Sequence, residues 1–248
     1  MRPSPSPYDG PAVRATRVLK RFGRKVALRE LTLEVRRGAV LGLTGANGSG
    51  KSTALSILAG HVRATQGHIE IFGRPPAHKS LVGRVGASLD DAAFPEDECV
   101  GDYMRYLALL QGLSGRAADM ALERLGALRW RSLRFRELSR GMRRTVGIAQ
   151  ACMGEPQLLL LDEPTDGLDE ATIEVVRDLL RRDGHASAIL SSHDVDFTTS
   201  VCDEVICLSI EGAGQQVVVR ETDEDAPRVR SSAAVSPPAR VAPSASDG

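Results

Sequence analysis

One stretch of nine residues, GANGSGKST at 45–53, limits what this chain can fold into more than any other feature. It follows the apolar run AVLGLTG, which predicts a strand buried on both faces, and it precedes a predicted helix from Ser52 to about Ala59. Its three glycines allow successive backbone N–H groups to curl around an anion, and the helix N-terminus adds partial positive charge. The stretch therefore predicts a phosphate-binding loop rather than a plain glycine-rich turn.

The run LLLLDE at 158–163 places two carboxylates directly after a predicted buried strand, and such a site needs carboxylates beside its phosphate-binding loop. Lys51 can reach the β- and γ-phosphates of a nucleotide, and the Ser52 hydroxyl suits Mg²⁺. Asp162, leaving the carboxyl end of a buried strand, can bind the same ion through water. Glu163 can polarise a water aimed at the γ-phosphate. Together the two segments predict a nucleoside triphosphatase, although an apolar strand that ends in Asp-Glu is often only structural.

The pattern of strands and helices predicts an α/β fold. It consists of a P-loop NTPase core with a mainly parallel sheet, an N-terminal antiparallel β subdomain and an inserted helical subdomain at about 90–152. Helices are predicted near 100–107, at about 116–128 and at 140–153. One ATPase domain is predicted to span 12–212. Residues 1–11 are predicted to be disordered, and 213–248, rich in Pro, Ser and Ala, to form a low-complexity tail.

The composition bears on whether the chain binds nucleic acid, a metal ion or a membrane. Lys plus Arg and Asp plus Glu number 32 each, so no overall basic field favours nucleic acid. Four cysteines without a CxxC pair predict reduced packing residues rather than a metal site. The N-terminus lacks the apolar region of a secretory signal, and no apolar run approaches the ~18–20 residues that span a bilayer. We therefore expect another chain to supply any contact with a membrane.

Six short segments follow one another along the chain as they do in one family. They are Phe22 in KRFG, the loop at 45–53, LSRGM at 138–142, LLLLDEPT, DGLD at 166–169 and SSH at 191–193. In content and order they resemble the ATP-binding cassette (ABC) ATPases, and the resemblance covers about residues 12–212.

The resemblance implies roles residue by residue. The catalytic residues it implies are Glu163, His193 and Lys51. The ATP-binding residues it implies are Phe22, Gly45, Asn47, Gly48, Ser49, Gly50, Lys51, Ser52, Thr53, Ser139, Gly141 and Asp169. The Mg²⁺ ligands it implies are Ser52, Asp162 and Asp90. Phe22 would stack on adenine, the alternative being a core phenylalanine at a strand end.

In this family two subunits stack head to tail around two ATP molecules. The resemblance therefore implies that Ser139 and Gly141 of one copy close over the γ-phosphate held by Lys51 of the other. Asp169 would lie at the seam between the copies. We expect a homodimer, or a pair with a similar ATPase subunit.

Two departures from the usual family pattern bear on function. In place of LSGGQ the chain has Arg140 and Met142, and the resulting GM ending is similar to the antibiotic and lantibiotic export branch. Arg140 is either a surface charge or a residue that faces nucleotide across the dimer. The usual switch-loop Gln is replaced by Asp90, followed by Asp91, so Asp90 either binds Mg²⁺ or belongs to a solvated acidic loop.

The function implied is that of the ATP-hydrolysing subunit of an exporter. A separate transmembrane permease would insert a short helix into a groove near residues 88–106. The subunit would then be cytoplasmic and peripheral on the inner face of the cell membrane, reached through its partner. The alternative is a soluble ABC-type ATPase that acts on ribosomes or DNA.

Overall fold

The computed structural model describes residues 8–89, 94–181, 186–208 and 216–218. The strands in these ranges are β1 Val13–Phe22, β2 Lys25–Val35, β3 Val40–Thr44, β4 Gln66–Ile71, β5 Val85–Ser88, β6 Leu158–Asp162, β7 Ser187–Ser191, β8 Glu204–Cys207 and β9 Gln216–Val218. The α-helices are α1 Lys51–Leu58, α2 Val100–Leu110, α3 Gly115–Arg124, α4 Arg140–Ala151, α5 Glu170–Arg181 and α6 Val195–Val201.

The larger sheet carries strands in the order β5-β6-β7-β3-β8-β9, and all its pairs are parallel except β8 with β9. Every residue of β6 and of β7 is buried, as expected for apolar runs in a sheet covered on both faces. The carboxyl ends of β3, β7 and β6 therefore lie side by side at one edge, which is where ligands bind in open α/β sheets. The predicted α/β class is confirmed.

The smaller sheet is antiparallel, with strands in the order β2-β1-β4. The side chains of Val13, Ala15 and Val18 on β1 are buried between this sheet and the core that includes α1. The sequence predicted alternating strands here, and the structure confirms them as an antiparallel β subdomain.

Helices α2 to α4 pack together on the other side of the larger sheet. Three aromatic rings join them to the chain before α2: Phe94 stacks on Phe135 at 4.6 Å between centroids, and Tyr103 meets Phe135 edge-on at 5.2 Å. Such ring pairs stabilise beyond the area that they bury. This group of helices is the predicted helical insertion.

Two of these helices end earlier than their apolar periodicity predicted. Helix α3 ends at Arg124 rather than near 128, and α4 ends at Ala151 rather than 153. Gly126 and Gly154, which follow the helix ends, have φ of 67° and 79°. A left-handed glycine just after a helix is a common terminator, so the glycines override the periodicity.

Strand β9 falls inside the stretch 213–248 that was predicted to be a low-complexity tail. It pairs antiparallel with β8, placing Val218 opposite Val205 and Gln216 opposite Cys207. The three residues QVV alternate poorly and are too few to be recognised as a strand from sequence. Within 213–248 the structure describes only residues 216–218.

Candidate nucleotide-binding site

The loop between β3 and α1 has the backbone of an anion cradle. Gly45, Gly48 and Gly50 have φ of 133°, 81° and 101°, in the left-handed region that other residues rarely adopt. A Cβ on Gly45 would lie 2.2 Å from the Leu208 carbonyl oxygen, and one on Gly50 would lie 2.5 Å from that of Ala27. Glycine is therefore required at both places by conformation and by space.

Lys51, the first residue of α1, folds back over this loop. Its Nζ donates to the carbonyl oxygens of Gly45 at 2.8 Å and Ala46 at 3.4 Å, and the side chain is buried. The hydroxyl of Ser49 is also buried and has no hydrogen-bond partner in the described part of the chain. A buried polar atom without a partner is costly unless a ligand satisfies it. The loop therefore fits a phosphate group, which would accept from both side chains.

The other predicted residues of the loop remain accessible. Asn47 and Ser52 are exposed and Thr53 is half-buried. The Ser52 hydroxyl lies in the first turn of α1 with no hydrogen-bond partner among the described residues. These side chains are free to contact a nucleotide or its metal ion.

The two carboxylates of LLLLDE lie at the same edge, at the end of β6. Asp162 is buried, and its Oδ1 accepts a hydrogen bond from the Ser191 hydroxyl at the end of β7. Glu163 has a φ of 47°, which for a residue other than glycine costs of the order of 1–3 kcal/mol. Its N–H donates to both the carbonyl oxygen and the Oγ of Ser191, at 3.1 and 2.9 Å. Strained backbone of this kind clusters at functional sites.

The Glu163 carboxylate is held by His193. The backbone N–H of His193 donates to Oε2 at 3.2 Å, and its Nε2 lies 2.8 Å from Oε1. The Glu163 side chain is 17% exposed and that of His193 is 55% exposed. Burial raises the pKa of Glu163, while His193 and Lys51 act to lower it and Asp162 to raise it. A carboxylate with a raised pKa beside an imidazole and an ammonium is suited to take a proton from water.

The LSRGM segment forms the start of α4. Ser139 is the N-cap, its Oγ accepting from the Met142 N–H at 3.2 Å, and it is exposed. A Cβ on Gly141 would lie 2.1 Å from the carbonyl oxygen of Gly167, so this helix start packs against the loop that follows Glu163. The segment thus combines a hydroxyl with an accessible helix N-terminus, a combination that suits an anion.

Arg140 has a partner within its own chain. Its guanidinium lies 2.6 Å from the Asp166 carboxylate, and both side chains are largely exposed. Asp169, three residues further on, accepts from the Thr172 N–H at 2.8 Å and so caps the start of α5. Its hydrogen bonds with Thr172 lower the pKa of Asp169. Asp169 therefore has a local structural role in addition to the one that the resemblance implies.

Phe22 ends β1 at the tip of the β1–β2 hairpin. Its ring is 51% exposed, with the Lys20 ammonium 4.6 Å from the centroid, so it is not a core residue. The hairpin adjoins the phosphate-binding loop, because the carbonyl oxygen of Ala27 on β2 lies directly against Gly50. An exposed ring in that position is available to stack on a base.

The remaining sequence-based predictions divide as follows. Asp90 and Asp91 lie outside the described residues. Cys152 and Cys202 are buried, and burial raises the pKa of their thiols to about 11 and about 12, as expected for packing residues. Within the described ranges no cluster of His, Cys, Asp or Glu could hold a metal ion alone, and none of the helices has the length and apolarity to span a bilayer.

Sequence reasoning missed two side chains at this edge. Ser191 contacts both carboxylate residues, as described above. Arg144 is buried in α4, and its guanidinium donates to the Asp162 carbonyl oxygen at 2.8 Å. Ser191 lay within the SSH segment that drew attention to His193, whereas no signal in the sequence singled out Arg144.

The family model described as ABC transporter matches residues 28–166 of this chain. An uncharacterised ABC transporter ATP-binding protein of Methanocaldococcus jannaschii is 30% identical over 205 residues, which are 80% of this chain and 74% of that protein. The bacitracin transport ATP-binding protein BcrA of Enterococcus faecalis is 31% identical over 193 residues, 75% of this chain and 62% of BcrA. The lantibiotic transport ATP-binding protein SrtF of Streptococcus pyogenes is 30% identical over 176 residues, 70% of this chain and 76% of SrtF.

Solved structures share the fold. The ATP-binding subunit of an ABC transporter superposes with a TM-score of 0.72 at 24% identity, covering 82% of this chain and 90% of that one. A dimeric ATP-binding cassette in a post-hydrolysis state, bound to ADP and Pi, superposes with a TM-score of 0.71 at 21% identity. The match covers 82% of this chain and 98% of that one.

Proposed function

Because the chain belongs to the ABC transporter family of ATP-binding subunits, we propose that it is the ATPase subunit of an exporter whose membrane-spanning part is a separate protein. The observation that carries the proposal is the meeting, at one sheet edge, of a glycine-built anion cradle with the half-buried, histidine-bound carboxylate of Glu163.

The phosphates of ATP would lie in the loop 45–53. Lys51 would exchange its two carbonyl partners for the β- and γ-phosphates, and Ser49 would gain the acceptor that it lacks. Phe22 would stack on the adenine. Stacking of a nucleic-acid base on an aromatic side chain contributes about 1–3 kcal/mol to binding, and we expect a similar contribution here. The oxygen donors Ser52 and Asp162 suit Mg²⁺, and Asp90 would complete the set. Bound there, the ion would neutralise charge that develops on the phosphates.

Hydrolysis would depend on Glu163. Its carboxylate would accept a proton from the attacking water, and His193 would hold that water and contact the γ-phosphate. The raised pKa of Glu163 supports this role, since a base is most effective when its pKa lies close to the working pH.

The pocket is incomplete in one chain. Ser139 and Gly141 would close over the ATP of a second copy, and Asp169 would lie at the seam between the two sites. The accessible N-terminus of α4 supports this arrangement, because its backbone N–H groups and the Ser139 hydroxyl suit a terminal phosphate. A symmetric homodimer with two shared ATP molecules follows.

Export is supported by the relatives and by the signature. BcrA and SrtF are named as bacitracin and lantibiotic transport proteins, and the GM ending of LSRGM is similar to that branch. A cavity of about 520 Å³ lies between the core and the helical insertion, lined by Leu81 and Val82 on one side and Gln111 and Gln150 on the other. We propose that a short helix of the permease binds in the groove near residues 88–106, which this cavity adjoins at Leu89. No observation favours the alternative of a ribosome- or DNA-directed ATPase.

The proposal is tested with the full-length chain, expressed with and without a candidate permease. The chain is expected to hydrolyse ATP, and Lys51→Ala is expected to abolish this. It is expected to sediment with membranes only when the permease is present. Sedimentation with ribosomes, or membrane binding that no permease alters, would overturn the proposal.

A further inference from the structure

The end of β7 carries a hydroxyl that contacts the carboxylate of Asp162 and the backbone N–H of Glu163. Strand β7 lies between β6 and β3, and its last residue, Ser191, is opposite Asp162 on one side and Leu43 on the other. Ser191 is fully buried. This residue therefore occupies the strand end that separates the phosphate-binding loop from the carboxylates.

The Ser191 hydroxyl makes two hydrogen bonds of opposite polarity. It donates to Asp162 Oδ1 and accepts from the Glu163 N–H at 2.9 Å. A serine hydroxyl has one hydrogen to donate, so its donor capacity is used entirely on Asp162. One buried group thus fixes the orientation of one carboxylate and the backbone of the next residue.

The orientations of the Asp162 carboxylate and of the Glu163 backbone both affect what the site can do chemically. With Oδ1 held by Ser191, the rotation of the Asp162 carboxylate is fixed. The Glu163 peptide, with its φ of 47°, is held by two acceptors from Ser191, so the Glu163 side chain leaves the strand at a fixed angle toward His193.

We propose that Ser191 is a positioning residue of the ATPase site, which orients Asp162 toward the metal ion and Glu163 toward the attacking water. The proposal rests on the proposed function. Groups that orient ligands in this way typically change metal affinity or activity 10–100-fold when they are removed.

A matched control lies at the other end of the same strand. Ser187 is 2% exposed, accepts from the Gly38 N–H at 2.9 Å and donates to the Arg36 carbonyl oxygen. Its hydroxyl is as buried as that of Ser191, but it contacts neither carboxylate. Ser187→Ala therefore removes a comparable buried hydrogen bond far from the site.

The experiment compares Ser191→Ala, Ser191→Cys and Ser187→Ala in the full chain. Cysteine changes the side-chain volume little but donates only weakly. We expect both Ser191 variants to lower kcat about 10–100-fold. We also expect them to reduce by about 10-fold the effect of Mg²⁺ on binding of the non-hydrolysable analogue AMP-PNP. Ser187→Ala is expected to match the thermal stability of Ser191→Ala but to keep wild-type kcat.

Three results would overturn the proposal: wild-type kcat and Mg²⁺ dependence in Ser191→Cys, an equal loss in Ser187→Ala, or a loss confined to thermal stability. If Ser191→Ala does not fold, the cysteine variant alone decides. The Ser191 proposal rests on the ATPase part of the proposed function, and failure of that part is recognised separately, because the wild-type chain would then neither bind AMP-PNP nor hydrolyse ATP.

Discussion

Replacing Glu163 by glutamine tests the assignment of the catalytic base. The amide keeps the shape of the side chain, so its oxygen can still accept from the His193 N–H that now lies 3.2 Å from Oε2. It loses the charge and the basicity. Positioned general bases contribute about 10²–10⁴-fold, or about 3–5 kcal/mol of barrier, and we expect kcat to fall by that factor. Since burial raises the pKa of Glu163, removing the charge should not destabilise the fold at neutral pH.

The assay for this variant measures phosphate release together with bound nucleotide and molecular mass. Glu163→Gln is expected to retain ATP and to accumulate as a dimer, because binding persists while turnover stops. Glu123→Gln, the same chemical change at an exposed position of α3, is the control and is expected to behave as wild type. A turnover rate for Glu163→Gln within twofold of wild type would show that Glu163 is not the catalytic base.

Three further predictions concern single contacts. Phe22→Ala should weaken ATP binding by about 1–3 kcal/mol in an equilibrium titration while leaving stability nearly unchanged, because the ring is largely exposed; unchanged affinity would exclude stacking. His193→Ala should raise the pKa of Glu163, since the imidazole holds it down, and so shift the acid limb of the residual kcat–pH profile to higher pH; a shift to lower pH would contradict this. Arg140→Ala should lower the free energy of unfolding, measured with urea, by less than about 1 kcal/mol and leave ATP hydrolysis unchanged, because the ion pair between Arg140 and Asp166 is exposed. Loss of ATP hydrolysis in a folded variant would instead favour a role for Arg140 facing the nucleotide.

Much of the core could be predicted because its signals are local. The runs that became β3, β6 and β7 are apolar over nearly their whole length, which is typical of strands covered on both faces. The glycines at 45 and 50 were expected to be required by conformation, and the structure adds that carbonyl oxygens fill the space that a Cβ would need.

The remaining features depend on contacts between segments distant in sequence. Ser191 meets Asp162 only because β7 lies next to β6, an order that the chain does not reveal by reading along it. Arg144 would be taken for a surface residue of α4 from its charge, yet it is buried because its guanidinium reaches the Asp162 carbonyl oxygen. The exposure of Phe22 follows from its place at a hairpin tip, which periodicity alone did not distinguish from a core position.

The central claim, that each ATP lies between two copies of the chain, is tested most directly by mixing two inactive variants. Lys51→Ala lacks the phosphate ligand, and Ser139→Arg blocks the signature segment. In a mixed dimer one site carries both defects, but the other combines an intact Lys51 with an intact Ser139. At equal amounts of the two variants we expect about a quarter of wild-type ATP hydrolysis to be recovered, since half the dimers are mixed and each mixed dimer has one intact site. No recovery, or an active Ser139→Arg chain on its own, would contradict it.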